Sequence, residues 1–141
     1  MTLEVFTADW VDAWAAELRA NEAYQKAAAT WEGAVVLEMT ADPNAGLPED
    51  RLVFLDLWHG ECRDARLATA EDRETSKIVL RATPEEWRRI LDGKVEPLLS
   101  LMSGKLKLAR GQLTELMPYV EASRQLVVSA TRVASHFPED G

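Results

Sequence analysis

A single cysteine, Cys62, stands in 141 residues, so the chain forms no internal disulfide and its thiol chemistry demands no oxidising compartment. No apolar run approaches the roughly 20 residues that span a bilayer. The opening Met-Thr-Leu-Glu-Val-Phe-Thr-Ala-Asp lacks the basic segment and long apolar stretch of a secretory signal, and a cytoplasmic location is the expectation. Positive charge is also scarce: 16 Lys and Arg against 24 Asp and Glu leave a formal net charge of −8. Nucleic-acid affinity grows with the number of phosphates neutralised, so nucleic acid is not an expected partner, and Arg88-Arg89 is too short to track a phosphate backbone. Internal repeats, low-complexity blocks and linkers are missing as well. The expectation is one domain over residues 1–141, large enough to bury a core without disulfide or metal.

What is present is an ordinary share of hydrophobic residues, 47%, arranged in two periods. Trp10, Trp14 and Leu18 recur at helical spacing after a cap at Thr7 or Asp9, and Asn21 opens a second, alanine-rich helix running to Trp31. Alternation from Ala34 to Thr40 places Val35, Leu37 and Met39 on one face of a strand. The loop Asp42 to Asp50 leads into Arg51 to Trp58, where Leu52, Phe54, Asp56 and Trp58 share one face and Val53, Leu55 and Leu57 the other. So dense an apolar run predicts a central strand covered on most of both sides. His59-Gly60 turns into the more polar Glu61 to Ala68, an edge strand whose Arg63 or Arg66 suits Asp56. A charged connection, Glu71 to Glu74, precedes another strand, Ser76 to Ala82. Thr83-Pro84-Glu85-Glu86 then starts a helix carrying Trp87, Ile90 and Leu91, with Glu86 placed to complete a capping box.

The only group of residues with reactive chemistry is Asp56, His59, Glu61, Cys62 and Asp64. A metal would need ligands converging on one point, yet a tight hairpin sends alternate side chains to opposite faces and no second cluster completes a shell. A nucleophilic Cys62 would need a base holding its thiolate, and His59 is near in sequence without sharing a face. A turn histidine and a partly buried thiol account for both residues. No catalytic residue, metal site or cofactor is assigned, and the chain reads as a non-enzyme.

The most informative stretch runs from Pro97 to Gly111. Pro97 opens a short helix with Leu98, Leu101 and Met102 on one face, and Ser103-Gly104 ends it. Lys105 to Leu108 alternates, placing Leu106 and Leu108 on one side of a strand. After Gly111, Leu113, Leu116, Met117 and Val120 hold helical spacing until Pro118 forces a break. A longer terminal helix follows, and the final Pro-Glu-Asp-Gly is expected to fray.

With its capped helix around Trp87, Asp92-Gly93, Pro97 in the next helix, Gly104-Lys105-Leu106-Lys107-Leu108 and Gly111, the chain resembles the sterol carrier protein type 2 (SCP-2) family, in particular its small stand-alone bacterial members. The resemblance implies an α+β fold. In it, a curved, largely antiparallel sheet of about five strands carries helices on one face and encloses an apolar cavity. It further implies non-covalent binding, and transfer, of a sterol, fatty acid or fatty acyl thioester. Under that implication the lipid-contacting candidates are Phe54, Trp58, Trp87, Leu98, Leu101, Met102, Leu106, Leu108, Leu116, Met117 and Val120, with Trp31 and Trp58 suited to the mouth. On residue types alone the same apolar positions describe a closed core equally well, because cavity wall and packed core need the same periodicity. The alternative is therefore an interaction or homodimerisation module with a filled interior. The C-terminus lacks the Ser-Lys-Leu type signal of peroxisomal relatives, so a peroxisomal address is not expected.

Overall fold

The computed structural model describes residues 1–140; Gly141, the last residue of the stretch expected to fray, lies outside the described residues. In chain order the elements are β1 (Leu3–Glu4), α1 (Ala8–Arg19), α2 (Glu22–Ala27), β2 (Glu32–Met39), β3 (Arg51–Trp58), β4 (Glu61–Leu67), α3 (Ala70–Thr75), β5 (Ile78–Ala82), α4 (Pro84–Leu91), α5 (Pro97–Met102), β6 (Lys107–Arg110), α6 (Leu113–Leu116), α7 (Val120–Thr131) and β7 (Ser135–His136). Five strands form one sheet in the order β4-β3-β2-β5-β6. Every neighbouring pair is antiparallel except β2 and β5, as a fold of α+β type with a largely antiparallel sheet requires. β1 and β7 make a separate parallel pair joining the two ends of the chain.

The inner face of the sheet is set by alternation. Val35, Leu37 and Met39 of β2 stand beside Val53 and Leu55 of β3 and beside Ile78 and Leu80 of β5. Against this face pack α1, through Trp10, Val11, Trp14 and Leu18, and α4, through Trp87 and Ile90, all buried. Trp14 Nε1 donates to the Leu126 carbonyl at 3.0 Å, tying α1 to α7. Asn21 accepts from the Tyr24 amide at 3.0 Å and donates to Ser129 Oγ at 2.9 Å, so the cap of α2 is also its tether to α7.

Strand β3 is not central. β2 is, and β3 stands next to the edge strand β4 with one face inward and the other half-exposed. The outer face is covered by the arginines of β4. Arg66 lies 4.2 Å over the Phe54 ring, Arg63 lies 4.7 Å over Trp58, and Arg63 pairs with Asp56 at 3.0 Å. Guanidinium stems and planes shelter apolar rings while remaining hydrated, which lets a strand look buried in sequence and still face solvent.

The stretch Glu71 to Glu74 belongs to a helix, α3, closed by a reciprocal capping box between Thr69 and Asp72. It has no buried residue and hence no apolar stripe to betray it. Arg73 of α3 and Arg81 of β5 both reach the buried carboxylate of Glu38, at 2.5 and 2.9 Å, so this helix lies on the sheet face opposite Leu37 and Met39. Two smaller differences involve boundaries. α2 ends at Ala27, not Trp31, and β6 begins at Lys107 because the amides of Lys105 and Leu106 both donate to the Ser100 carbonyl at 3.1 Å.

Candidate functional site

Between the inner face of the sheet and the C-terminal helices lies a cleft of about 70 Å³. Its floor is Val35, Leu57, Ile78, Leu80 and Leu106, one or two residues from each of β2, β3, β5 and the entrance to β6. One wall is Tyr24, Ala28 and Trp31, from α2 and the turn after it. The roof is Pro97, Leu98 and Leu101 of α5, Leu116 of α6, Tyr119, and Val120, Ala122, Ser123 and Leu126 of α7. No lysine, arginine, aspartate or glutamate lines it. Its polar side chains are two tyrosines, a serine and the Trp31 indole, whose N–H is already given to the Gly33 carbonyl at 2.9 Å. Burial pushes the Tyr24 hydroxyl well above the usual phenol range, the nearby Cys62 adding to the effect, so it stays neutral. Such a surface holds a guest by burial.

The chain turns above this floor at Gly111, where φ is +102° and an added Cβ would collide with Ile78 Cδ1. Only glycine lets β6 hand over to α6 at that height. The roof beyond it is built from short pieces: four residues of α6, then a 3₁₀ turn at Met117–Tyr119 forced by Pro118. Helices this short have no stability of their own and keep their place through packing. Tyr119 supplies that packing, with its ring edge-on to Trp31 at 4.9 Å and its hydroxyl 3.0 Å from Thr30 Oγ1. α5 is held differently. Ser100, fully buried, hydrogen-bonds the equally buried carboxylate of Glu86, which also pairs with Arg89 at 2.8 Å. Glu86 therefore serves as an anchor between α4 and α5 instead of closing a capping box, while Thr83 alone caps α4.

Of the residues singled out from sequence, Leu98, Leu101, Leu106, Leu116 and Val120 line the cleft together. Phe54 and Trp58 do not reach it: they occupy the outer face of β3 under the β4 arginines. Trp87 lies in the core between α4 and β2, its Nε1 donating to the Glu38 carbonyl at 3.0 Å and its ring packed 5.4 Å from Phe6. Leu108 faces a shallow groove shared with Leu113, and Met102 and Met117 project into solvent. Residues the sequence reading did not select include Tyr24, Leu57, Ile78, Tyr119 and Leu126. Asp56 was the available signal for Leu57: a strand face carrying a carboxylate is the solvent face, which leaves Val53, Leu55 and Leu57 inward.

The hairpin cluster is dispersed. His59, at φ 51°, bonds Glu32 at 2.5 Å and stacks on Trp58, while Cys62 is buried with its thiol directed to the Asp64 carbonyl at 3.6 Å. Burial pushes that thiol above its ordinary range. Among the described residues no three His, Cys, Asp or Glu are gathered as for a metal ion, and no helix is long and apolar enough to cross a membrane.

Comparison with known proteins places this geometry. The profile of the SCP-2 sterol transfer family matches residues 14–111. A crystal structure of sterol carrier protein 2 superposes with a TM-score of 0.85 at 42% identity, over 93% of this chain and 100% of the other. The solution structure of a conserved hypothetical protein of Thermus thermophilus, a suggested sterol carrier protein, gives 0.84 at 42% identity, over 95% and 92%. Sterol carrier protein 2 of Yarrowia lipolytica, in its apo form, shares the fold at a TM-score of 0.57 and 15% identity, over 93% and 98%. A comparison with functionally curated proteins gave no significant match. Fold, matched residues and identity agree: the chain belongs to the SCP-2 sterol transfer family.

Proposed function

We propose that this protein binds a long-chain lipid (a fatty acid, fatty acyl thioester or sterol) in the cleft between sheet and C-terminal helices, and transfers it without covalent chemistry. The observation that carries the reading is the lining itself: a concave surface drawn from both layers of the fold, sheet and helices, without a single formally charged side chain. Family membership and the names of the 42% identical structures support it. The site residues proposed are Leu98, Leu101, Leu106, Leu116 and Val120 together with Leu57, Ile78 and Trp31.

At about 70 Å³ the cleft is far below the roughly 300–1,000 Å³ of sites that enclose drug-sized ligands. Binding therefore requires the roof, built from α5, α6 and the Met117–Tyr119 turn, to move off the floor. The energy to do this comes from the ligand, at about 0.8 kcal/mol per buried methylene. Affinity across a series of saturated fatty acids, measured by calorimetry, should rise about fourfold per added methylene until the opened cleft is full. The small resting volume equally favours a second reading, a closed core used for interaction. A response independent of chain length, or none, would decide for that reading.

A further inference from the structure

We propose that the outer face of the sheet, opposite the cleft, carries a second binding site, in which Arg73 and Arg81 take the phosphate of a small phosphate monoester. Glu38 organises it. Glu38 of β2 and Arg81 of β5 are register partners, and alternation turns both away from Val35, Ile78 and Leu80, which form the floor of the cleft. The Glu38 side chain is only 4% exposed; one carboxylate oxygen meets Arg73 Nε at 2.5 Å and the other meets Arg81 Nε at 2.9 Å. Both guanidiniums are thus fixed through Nε. Their terminal nitrogens make no hydrogen bond among the described residues, and the two arginine side chains are 38% and 47% exposed. Both line a groove of about 370 Å³, with Leu52, Ala68 and Ala70 as an apolar wall, a volume within the roughly 300–1,000 Å³ of small-molecule sites.

Two guanidiniums on one carboxylate leave a positive charge in excess. The other acid lining the groove, Asp50, accepts the Ala41 amide at 2.6 Å, and its charge, like that of Glu74, acts on Arg73. On the Arg81 side the balance is reversed. Lys107 is the register partner of Arg81 on β6, shares its sheet face, and is exposed without an ion-pair partner among the described residues. The unpaired ends of two planar forks suit the three free oxygens of a tetrahedral phosphate ester, whereas a planar carboxylate is saturated by a single fork. Leu52, Ala68 and Ala70 give the organic part of the ligand a surface to lie on. A lipid seated in the cleft cannot supply the phosphate, because the sheet stands between the two sites.

The test is NMR titration of the full chain, isotopically labelled at arginine, with phenyl phosphate, and in parallel with acetate. The Nε–Hε signals of Arg73 and Arg81 should shift and saturate with phenyl phosphate and respond more weakly to acetate. Arg81→Gln should weaken phenyl phosphate about tenfold or more. Arg81→Lys keeps the positive charge beside Glu38 but loses the fork, and should weaken it as well; thermal unfolding of this variant checks that the fold is retained. No shift at either arginine, acetate bound as tightly as phenyl phosphate, or wild-type affinity in both variants would overturn the proposal. So would a phosphoserine peptide that shifts these two signals where phenyl phosphate does not, which would assign the face to a partner protein.

Discussion

Tyr119 ties the Met117–Tyr119 turn of the roof to the wall of the cleft, and its replacement should open the roof without touching the floor. Its ring meets Trp31 edge-on at 4.9 Å and 85°, a contact contributing about 0.5–1.5 kcal/mol beyond the area it buries. Its hydroxyl, 3.0 Å from Thr30 Oγ1, adds a hydrogen bond of about 0.5–1.5 kcal/mol net. Tyr119→Phe removes the second and Tyr119→Ala both, so the population of open molecules should rise up to about tenfold in the first variant and further in the second. When the roof must lift before a ligand enters, the uptake rate follows that population. Stopped-flow mixing with a fluorescent fatty acid should show uptake faster in the order Ala, Phe, wild type, and exchange of the backbone amides of Leu116, Met117 and residue 119 should accelerate in the same order. Identical uptake rates in all three proteins, with amide exchange accelerated as expected, would refute the reasoning, because the roof would then open without giving access to the cleft.

Two further outcomes follow from the buried groups. Ser100→Ala leaves the Glu86 carboxylate buried with Arg89 and without its hydroxyl donor, and should lower stability in a urea titration by about 1–3 kcal/mol; an unchanged midpoint would contradict the anchoring role. Burial raises the Cys62 thiol, so its thiolate fraction at any given pH is smaller than that of a free cysteine. Alkylation should be slower than for the free amino acid and shift to higher pH, and a rate equal to that of free cysteine near neutrality would contradict this effect of burial.

Much of this fold is written in local pattern. The Asn21 cap, the Thr83-Pro84 start, Pro97 opening a six-residue helix and the break at Pro118 are each a residue acting on its own neighbours, and the structure has an element boundary at every one. The candidate site was legible where helix periodicity faced one layer only, as at Leu98, Leu101, Leu116 and Val120. On β3 it was misread. Phe54 and Trp58 are large and apolar, but a strand offers two faces, and the arginines that shelter the outer one come from another strand. Met102 and Met117 share the helical spacing of their neighbours, yet α5 and the 3₁₀ turn after α6 are too short to be covered all round, which leaves them in water. α3 was hidden for the reverse reason: its stability comes from the Thr69–Asp72 box and the Arg73–Glu38 pair, with no apolar stripe at all.

The most direct measurement is methyl NMR of the protein, labelled at Ile, Leu and Val, titrated with palmitate. Ile78, Leu57 and Leu106 line the floor of the cleft, whereas Leu52 and Leu67 report on the far side of the sheet and its edge. If a lipid occupies the cleft, the methyl signals of the first three shift on binding and those of Leu52 and Leu67 stay in place. Shifts confined to Leu52 and Leu67, or no shift at any of the five, would contradict the account.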